Sequence, residues 1–210
     1  MKVLYVLRSV AHFGYHDRVI ARLCDLGHQV QVLFDEELSR NRARSGVDEF
    51  LKGERKITVG WSLRRRGVLR GPLFAAREIL SYASYLSRRD QSEYYLKRWE
   101  GYLVRPVRAL ARARPGKALL GSRAARGALR ALERAARPDR RILEWLRDHR
   151  PDVLVASSVN LRFAEEIEYV KAARALRIPT VYSVLSWDNL TTKGLFHVAA
   201  DVVLVWNKTH

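Results

Sequence analysis

The chain has 210 residues, 48% hydrophobic and 29% charged, which excludes a disordered chain and allows one large core or two small ones. Its formal net charge is +17, and Leu103 to Arg150 alone supplies about +10 of it, with fourteen Arg or Lys against four Asp or Glu. That balance points to phosphates as partners, although an Arg- and Ala-rich composition with solvated helix faces accounts for part of it, and the single Cys24 excludes an intrachain disulfide or a multi-cysteine zinc site.

Lys2 to Arg8 reads as a first strand, apolar enough to be buried on both faces and therefore parallel. A loop from Ser9 to His16 leads into a helix from about Asp17 to Leu26, with Val19, Ile20, Leu23 and Leu26 as its apolar stripe. Gly27 is placed to end it, and His28 to Phe34 forms a second strand, completing a βαβ unit. The dinucleotide fingerprint G-x-G-x-x-G is absent, since Gly14 stands alone, so no NAD, FAD or other cofactor is expected. His12 is a candidate catalytic base at a strand's C-terminal end, and Phe13, Gly14 and His16 of the same loop join it as substrate-binding candidates.

A short helix around Val47 to Leu51 and a third strand at Ile57 to Val59 follow. Residues 61–138 then read as a basic helical insertion. Helices are expected over Leu73 to Arg88, Gln91 to Leu103 and Arg123 to Arg137, with Pro106 and Pro115-Gly116 as punctuation between them. Tyr82, Tyr85, Tyr94, Tyr95 and Trp99 beside many arginines suit either a membrane headgroup interface or ordinary packing on the sheet.

Regular alternation returns with a helix capped by Asp139 and running through Arg150, a buried strand Val153 to Ala156, and a helix from about Arg162 to Leu176. Strands Thr180 to Val184 and Asp201 to Trp206 end the series. The loop Ser157-Ser158-Val159-Asn160 is small and polar where a ligand would approach, so Ser157, Ser158 and Asn160 are substrate-binding candidates. The loop Ser186-Trp187-Asp188-Asn189-Leu190-Thr191-Thr192-Lys193-Gly194 carries more polar function than a turn requires. Asp188 is a second candidate base, and Ser186, Trp187, Asn189, Thr191, Thr192 and Lys193 are candidate substrate contacts. The histidines are scattered, so no metal site is expected.

The fold class is thus α/β, a Rossmann-like parallel sheet with helices on both faces and a helical insertion. The run from Ser9 through Leu26-Gly27-His28-Gln29-Val30 resembles the opening of GT-B glycosyltransferases, with Val10 and Ala11 where that family has glycines before the loop histidine. Pro151-Asp152 and Ala200-Asp201 before strands are also similar to that family, and Ser186 to Gly194 resembles a motif of bacterial surface-carbohydrate transferases near the CDP-glycerol polymerases. The resemblance covers about 1–60 and 139–210. It implies an N-terminal, acceptor-side domain that works without a metal, a nucleotide-sugar donor bound mostly outside this chain, and a carbohydrate or lipid-linked acceptor. A chain ending just past a strand is expected to be truncated, with the donor-binding domain beyond it.

The function expected is glycosyl transfer in surface carbohydrate synthesis, with the fragment inactive alone. The alternatives are a non-catalytic basic module binding nucleic acid or anionic membrane, and a sugar-nucleotide epimerase of GT-B type. Nucleic acid is the weaker partner, because the basic segment lacks a helix-turn-helix or an aromatic RNA-binding signature. With no signal-peptide or membrane-spanning pattern, a cytoplasmic place is expected, with peripheral membrane contact through 61–138.

Overall fold

The computed structural model describes residues 1–42, 45–53, 56–88, 92–186 and 188–205. Six strands, β1 (Lys2–Leu7), β2 (Gln29–Phe34), β3 (Ile57–Trp61), β4 (Val153–Ser157), β5 (Thr180–Ser183) and β6 (Val202–Leu204), form one sheet in the order β3-β2-β1-β4-β5-β6. Every pairing is parallel. This is the Rossmann order, two βαβ halves that diverge from the β1/β4 boundary.

β1 lies at the centre, paired from Lys2↔Gln29 to Leu7↔Phe34 on one side and from Val3↔Val153 to Val6↔Ala156 on the other. Its side chains alternate between two cores. Leu4 and Val6 pack with Ile142, Leu146, Ile167 and Val170 on one face, and Val3, Tyr5 and Leu7 pack with Ile20, Val32 and Phe34 on the other. Burial on both faces explains why β1 is an uninterrupted apolar run.

The first face is covered by α9 (Arg140–His149) and α10 (Glu166–Ala175), the second by α1 (Asp17–Asp25) and α3 (Ser45–Leu51). A single turn, α2 (Glu36–Ser39), precedes α3 and is capped by Asp35, which accepts from the Leu38 amide at 2.9 Å. The stripe expected on α1 is narrower than predicted. Ile20 is fully buried and Leu23 packs on the core, but Val19 and Leu26 are 54% and 55% exposed. Gly27, at φ +83°, ends that helix as expected, because a left-handed residue there is cheap only for glycine. Asp139 caps α9 through hydrogen bonds from the Arg141 and Ile142 amides. α10 begins four residues later than predicted, since Ser158 (φ 61°) and Phe163 (φ 55°) hold the preceding segment in a non-helical path. The last strand is a short, exposed edge. Asp201 fixes its register by accepting from the amide and hydroxyl of Thr180 at 2.8 and 2.7 Å, while Trp206 lies outside the described residues.

Between β3 and α9 lie α4 (Arg70–Leu86), α5 (Glu93–Tyr102), α6 (Arg105–Arg112), α7 (Arg114–Gly121) and α8 (Arg123–Ala135). Pro106 and Pro115, predicted as breaks, instead occupy the first turns of α6 and α7, where a missing N–H costs nothing. Gly116 is required at the α6–α7 crossing, because a Cβ there would lie 2.1 Å from the Leu110 carbonyl oxygen. Tyr82, Tyr85, Trp99, Leu103 and Leu120 form a separate core, so most of the aromatic residues face inward, and Tyr94 alone of the five singled out is largely exposed.

Buried ions tie these helices to α10, which covers the sheet. Arg77 of α4 donates two hydrogen bonds to Glu133 of α8, at 2.8 and 2.9 Å, and a third to Glu168 of α10 at 2.5 Å. Arg65 reaches Glu168 at 2.6 Å and Lys171 reaches Glu133 at 2.9 Å. Each acid therefore meets two cations. Removing one partner from such a cluster leaves an uncompensated buried charge and costs about 3–5 kcal/mol.

Candidate functional site

In open parallel sheets, ligands sit outside the C-terminal ends of the strands, where the strand order reverses. Here that is the crevice between the loop after β1 and the loop after β4. Arg8 follows β1 directly; its Nη2 donates to the Arg162 carbonyl at 2.8 Å, while its Nη1 is buried with no partner among the described residues. The hydroxyls of Ser157 and Ser158 are also buried without partners. Ser158 sits at positive φ, a conformation that costs a non-glycine residue free energy and clusters at functional sites.

The loops after β4 and β5 are stitched together. Asn160 donates through Nδ2 to the Asn189 carbonyl, and its own carbonyl accepts from the Gly194 amide at 2.8 Å. Gly194 is needed for that approach, since a Cβ would stand 2.7 Å from the Asn160 oxygen. Asn160 and Asn189 are 3% and 6% exposed and are committed mainly to this join. Asp188 is likewise occupied. It accepts from Ser186 Oγ at 2.6 Å, from Lys193 Nζ at 3.0 Å and from Thr192 Oγ1 at 3.2 Å. The Ser186 hydrogen bond, then that of Lys193 and its charge, hold the Asp188 carboxyl below the usual carboxylate range. Thr191 bonds back to the Asp188 carbonyl through its amide and hydroxyl. Trp187 lies outside the described residues.

His12 stands on a 3₁₀ turn, Val10–Tyr15, with Nδ1 2.9 Å from Ser9 Oγ. Partial burial, then the charges of Arg8 and Arg42, lower its pKa below 6.5. Gly14 is exposed beside it. Phe13 and His16 turn inward. Phe13 packs on Phe50 and Phe34 with ring centroids 5.0 and 6.2 Å away, and His16 packs against Tyr5 and is pushed down to about 4 by burial.

A cavity of about 170 Å³ opens where these loops meet α5. Four cations line it, each from a different place in the chain: Arg8 after β1, Arg98 on α5, Arg162 after β4 and Lys193 after β5. Trp99 and Tyr102 form an aromatic wall, with Arg98 Nε donating to Tyr102 Oη at 2.9 Å and the Arg162 guanidinium 4.8 Å from the Tyr102 ring centroid. Of the four, only Lys193 makes a carboxylate salt bridge among the described residues. The arrangement favours a ligand bearing negative charge. Of the residues singled out from sequence, Asn160, Thr192 and Lys193 line the cavity, whereas His12, Ser157, Ser158, Ser186 and Asn189 do not.

Sequence reasoning missed Arg8, Arg98, Trp99, Tyr102 and Arg162. The usable signal was a charged residue at the end of an apolar strand, as at Arg8, and the arginine two residues after Asn160. It also missed two acids. Glu78 on α4 and Glu166 on α10 are both buried and both pushed up to about 7 by that burial, with Arg8 opposing the rise in each. One oxygen of each has no partner among the described residues. Among the described residues no group of His, Cys, Asp or Glu stands close enough to hold a metal ion, and no helix is long and apolar enough to cross a membrane.

These observations define a Rossmann-like α/β chain with a cationic crevice at its switch point. No family model matches the chain, and no curated protein does. Among solved structures it is similar to the glycosyltransferase VinC in complex with DTDP, at 13% identity and a TM-score of 0.40 over 90% of this chain and 36% of that one. It is also similar to the spinosyn rhamnosyltransferase SpnG complexed with thymidine diphosphate, at 16% identity and a TM-score of 0.39 over 88% and 35%. A third is the Streptomyces sp. SF2575 glycosyltransferase SsfS6, complexed with thymidine diphosphate, at 14% identity and 0.35 over 88% and 38%. The chain spans little more than a third of the length of each, and at these scores the likeness carries no argument about chemistry.

Proposed function

We propose that this chain is the acceptor side of a glycosyltransferase, moving a sugar from a nucleotide-sugar to a carbohydrate or lipid-linked acceptor in surface carbohydrate synthesis. The observation that carries the reading is the crevice at the β1/β4 switch point, walled by three arginines, a lysine, aromatic rings and small polar groups. The donor is presented by a second domain.

The acceptor hydroxyl must lose a proton as its oxygen attacks the anomeric carbon and the sugar–phosphate bond breaks, releasing the nucleoside diphosphate. His12 suits that role, because its lowered pKa keeps it neutral near pH 7. In the tautomer whose Nδ1–H donates to Ser9 Oγ, Nε2 keeps its lone pair for the proton. Asp188 is the weaker base of the two, since Ser186, Thr192 and Lys193 already occupy its oxygens. The hydroxyls of Ser157, Ser158, Ser186 and Thr191 are the groups assigned to acceptor sugar, and Lys193 is assigned to phosphate. Exposed Arg105, Arg112, Arg123 and Arg130, interspersed with exposed Leu110, Leu119 and Leu132, suit peripheral contact with the cytoplasmic face of an anionic membrane at about 1 kcal/mol per basic residue.

The test is label transfer. The protein, with its donor domain, is incubated with a panel of labelled nucleotide-sugars and a membrane extract. Label entering lipid-extractable or polymeric material supports the reading. No transfer from any donor, together with salt-dependent binding to duplex DNA, overturns it in favour of a nucleic-acid module.

A further inference from the structure

Beside the cationic cavity lies a second one of about 250 Å³, and the two share Arg162 and Tyr102 in their walls. The second is predominantly apolar, bounded by Phe74, Phe163, Val104 and the Tyr102 ring, with Arg70 and the buried Glu78 as its other charged or titratable lining. Its rim is held at a cost. Phe163 is a bulky residue at φ 55°, yet its side chain is 47% exposed, lying under the Arg162 guanidinium with 4.4 Å to the ring centroid. A strained backbone that presents a phenyl ring to solvent at a cavity mouth needs a reason other than the core. On the cationic side, Arg8 Nη1, Arg162 Nε and Trp99 Nε1 are buried donors with no partner among the described residues. Buried donors normally find acceptors, so three around one small cavity mark a place for a ligand's oxygens.

We infer that the paired cavities bind a phosphate ester of an aliphatic alcohol, the phosphate among Arg8, Arg98, Arg162 and Lys193 and the first carbons of the chain against Phe74, Phe163 and Val104. Arg162 spans the junction, one end of its environment ionic and the other aromatic, as an amphiphilic ligand requires. The inference rests on the transfer reading in that it names the acceptor's chemical class. Binding is read with no donor present, so it holds or fails separately from the reaction.

Titration calorimetry on the whole protein, with octyl phosphate, inorganic phosphate and uridine diphosphate as probes, tests it. Octyl phosphate is expected to bind one per chain, about tenfold or more tighter than either of the others. Phe163→Gly, which suits the positive φ and so preserves the fold, should weaken octyl phosphate about tenfold and leave inorganic phosphate unchanged. Arg98→Gln should weaken both by a similar factor. Equal affinity for octyl and inorganic phosphate overturns the proposal, as does tighter binding of uridine diphosphate or undiminished octyl phosphate binding in both variants. Vesicles containing phosphatidic acid separate the sources. Vesicle binding lost in Arg98→Gln and Phe163→Gly identifies a bilayer lipid headgroup, and octyl phosphate binding without vesicle binding identifies a free ester.

Discussion

Two buried charged clusters flank α4, and they differ in how they are closed. In the first, Arg77, Glu133, Glu168, Arg65 and Lys171 are arranged so that each acid meets two cations at 2.5–2.9 Å, and only the guanidinium atoms Arg65 Nε and Arg77 Nη1 are left without a partner among the described residues. In the second, around the β1/β4 crevice, Arg8, Arg162, Glu78, Glu166, Ser157 and Ser158 each leave one buried polar atom without a partner. A cluster whose acids are all ion-paired holds a fold together, whereas one whose acids, arginines and hydroxyls all keep a free atom retains more hydrogen-bonding capacity for a ligand to take up. The first joins the helices of residues 70–135 to α10 on the face of the sheet; the second lies where such sheets place their chemistry.

The largest way to break this contrast is Glu168→Ala. It strands Arg65 in the interior, leaves Arg77 with Glu133 alone, and should cost about 3–5 kcal/mol in denaturant unfolding. A loss below 1 kcal/mol would show that the closed cluster is not the fastening. His12→Ala should lower kcat/KM for transfer by about 100-fold or more, which is about 2.7 kcal/mol, with little change in stability. Wild-type rates in that variant would remove His12 as the base.

A pH titration sharpens the comparison further. Glu78 rises from 4.5 to about 7 on folding, so the folded state favours its neutral form. Its contribution is fully present below pH 4.5 and is lost as pH climbs to 7, amounting to at most roughly 3 kcal/mol. His16 and His197, both pushed down to about 4 by burial, act oppositely, costing stability as pH falls from 6.5. The two slopes oppose each other in wild type, so the difference between wild type and Glu78→Gln isolates the acid. The variant should gain relative stability between pH 5 and 7, and a pH-independent difference would contradict the buried-acid assignment. Smaller still, Gly194→Ala should separate the stitched loops for about 1–3 kcal/mol. Arg140→Ala, which removes only an exposed pair with Glu144, should leave the unfolding midpoint where it is.

The central strands were legible because strands buried on both faces read as apolar runs, set off by Gly27 before β2 and Pro151-Asp152 before β4. Less legible were features whose local signals are ambiguous. A proline in the first turn of a helix looks like a proline that breaks one, which hid α6 and α7. Nothing in one sequence marks Phe163 as left-handed, so the start of α10 was placed too early. The site was readable only in outline. The loops after β1, β4 and β5 border the candidate crevice, but Asp188 is spent on Ser186 and Thr192, two and four residues away, a pattern of local capping visible in the sequence. A buried arginine is indistinguishable from a solvated one in composition. Arg65 and Arg77 in the fastening, and Arg8 and Arg162 in the crevice, were therefore all lost in the general basic excess.

The central claim, that the open cluster serves a ligand and the closed one serves the fold, is tested most directly by thermal unfolding of Arg98→Gln and Glu168→Gln with and without octyl phosphate. The account predicts a crossed result. Arg98→Gln keeps the wild-type midpoint without ligand but shows a clearly smaller ligand-induced rise, whereas Glu168→Gln unfolds early without ligand yet, where still folded, retains the rise. The reverse pattern, or a ligand-induced rise as large in Arg98→Gln as in the wild type, would contradict it.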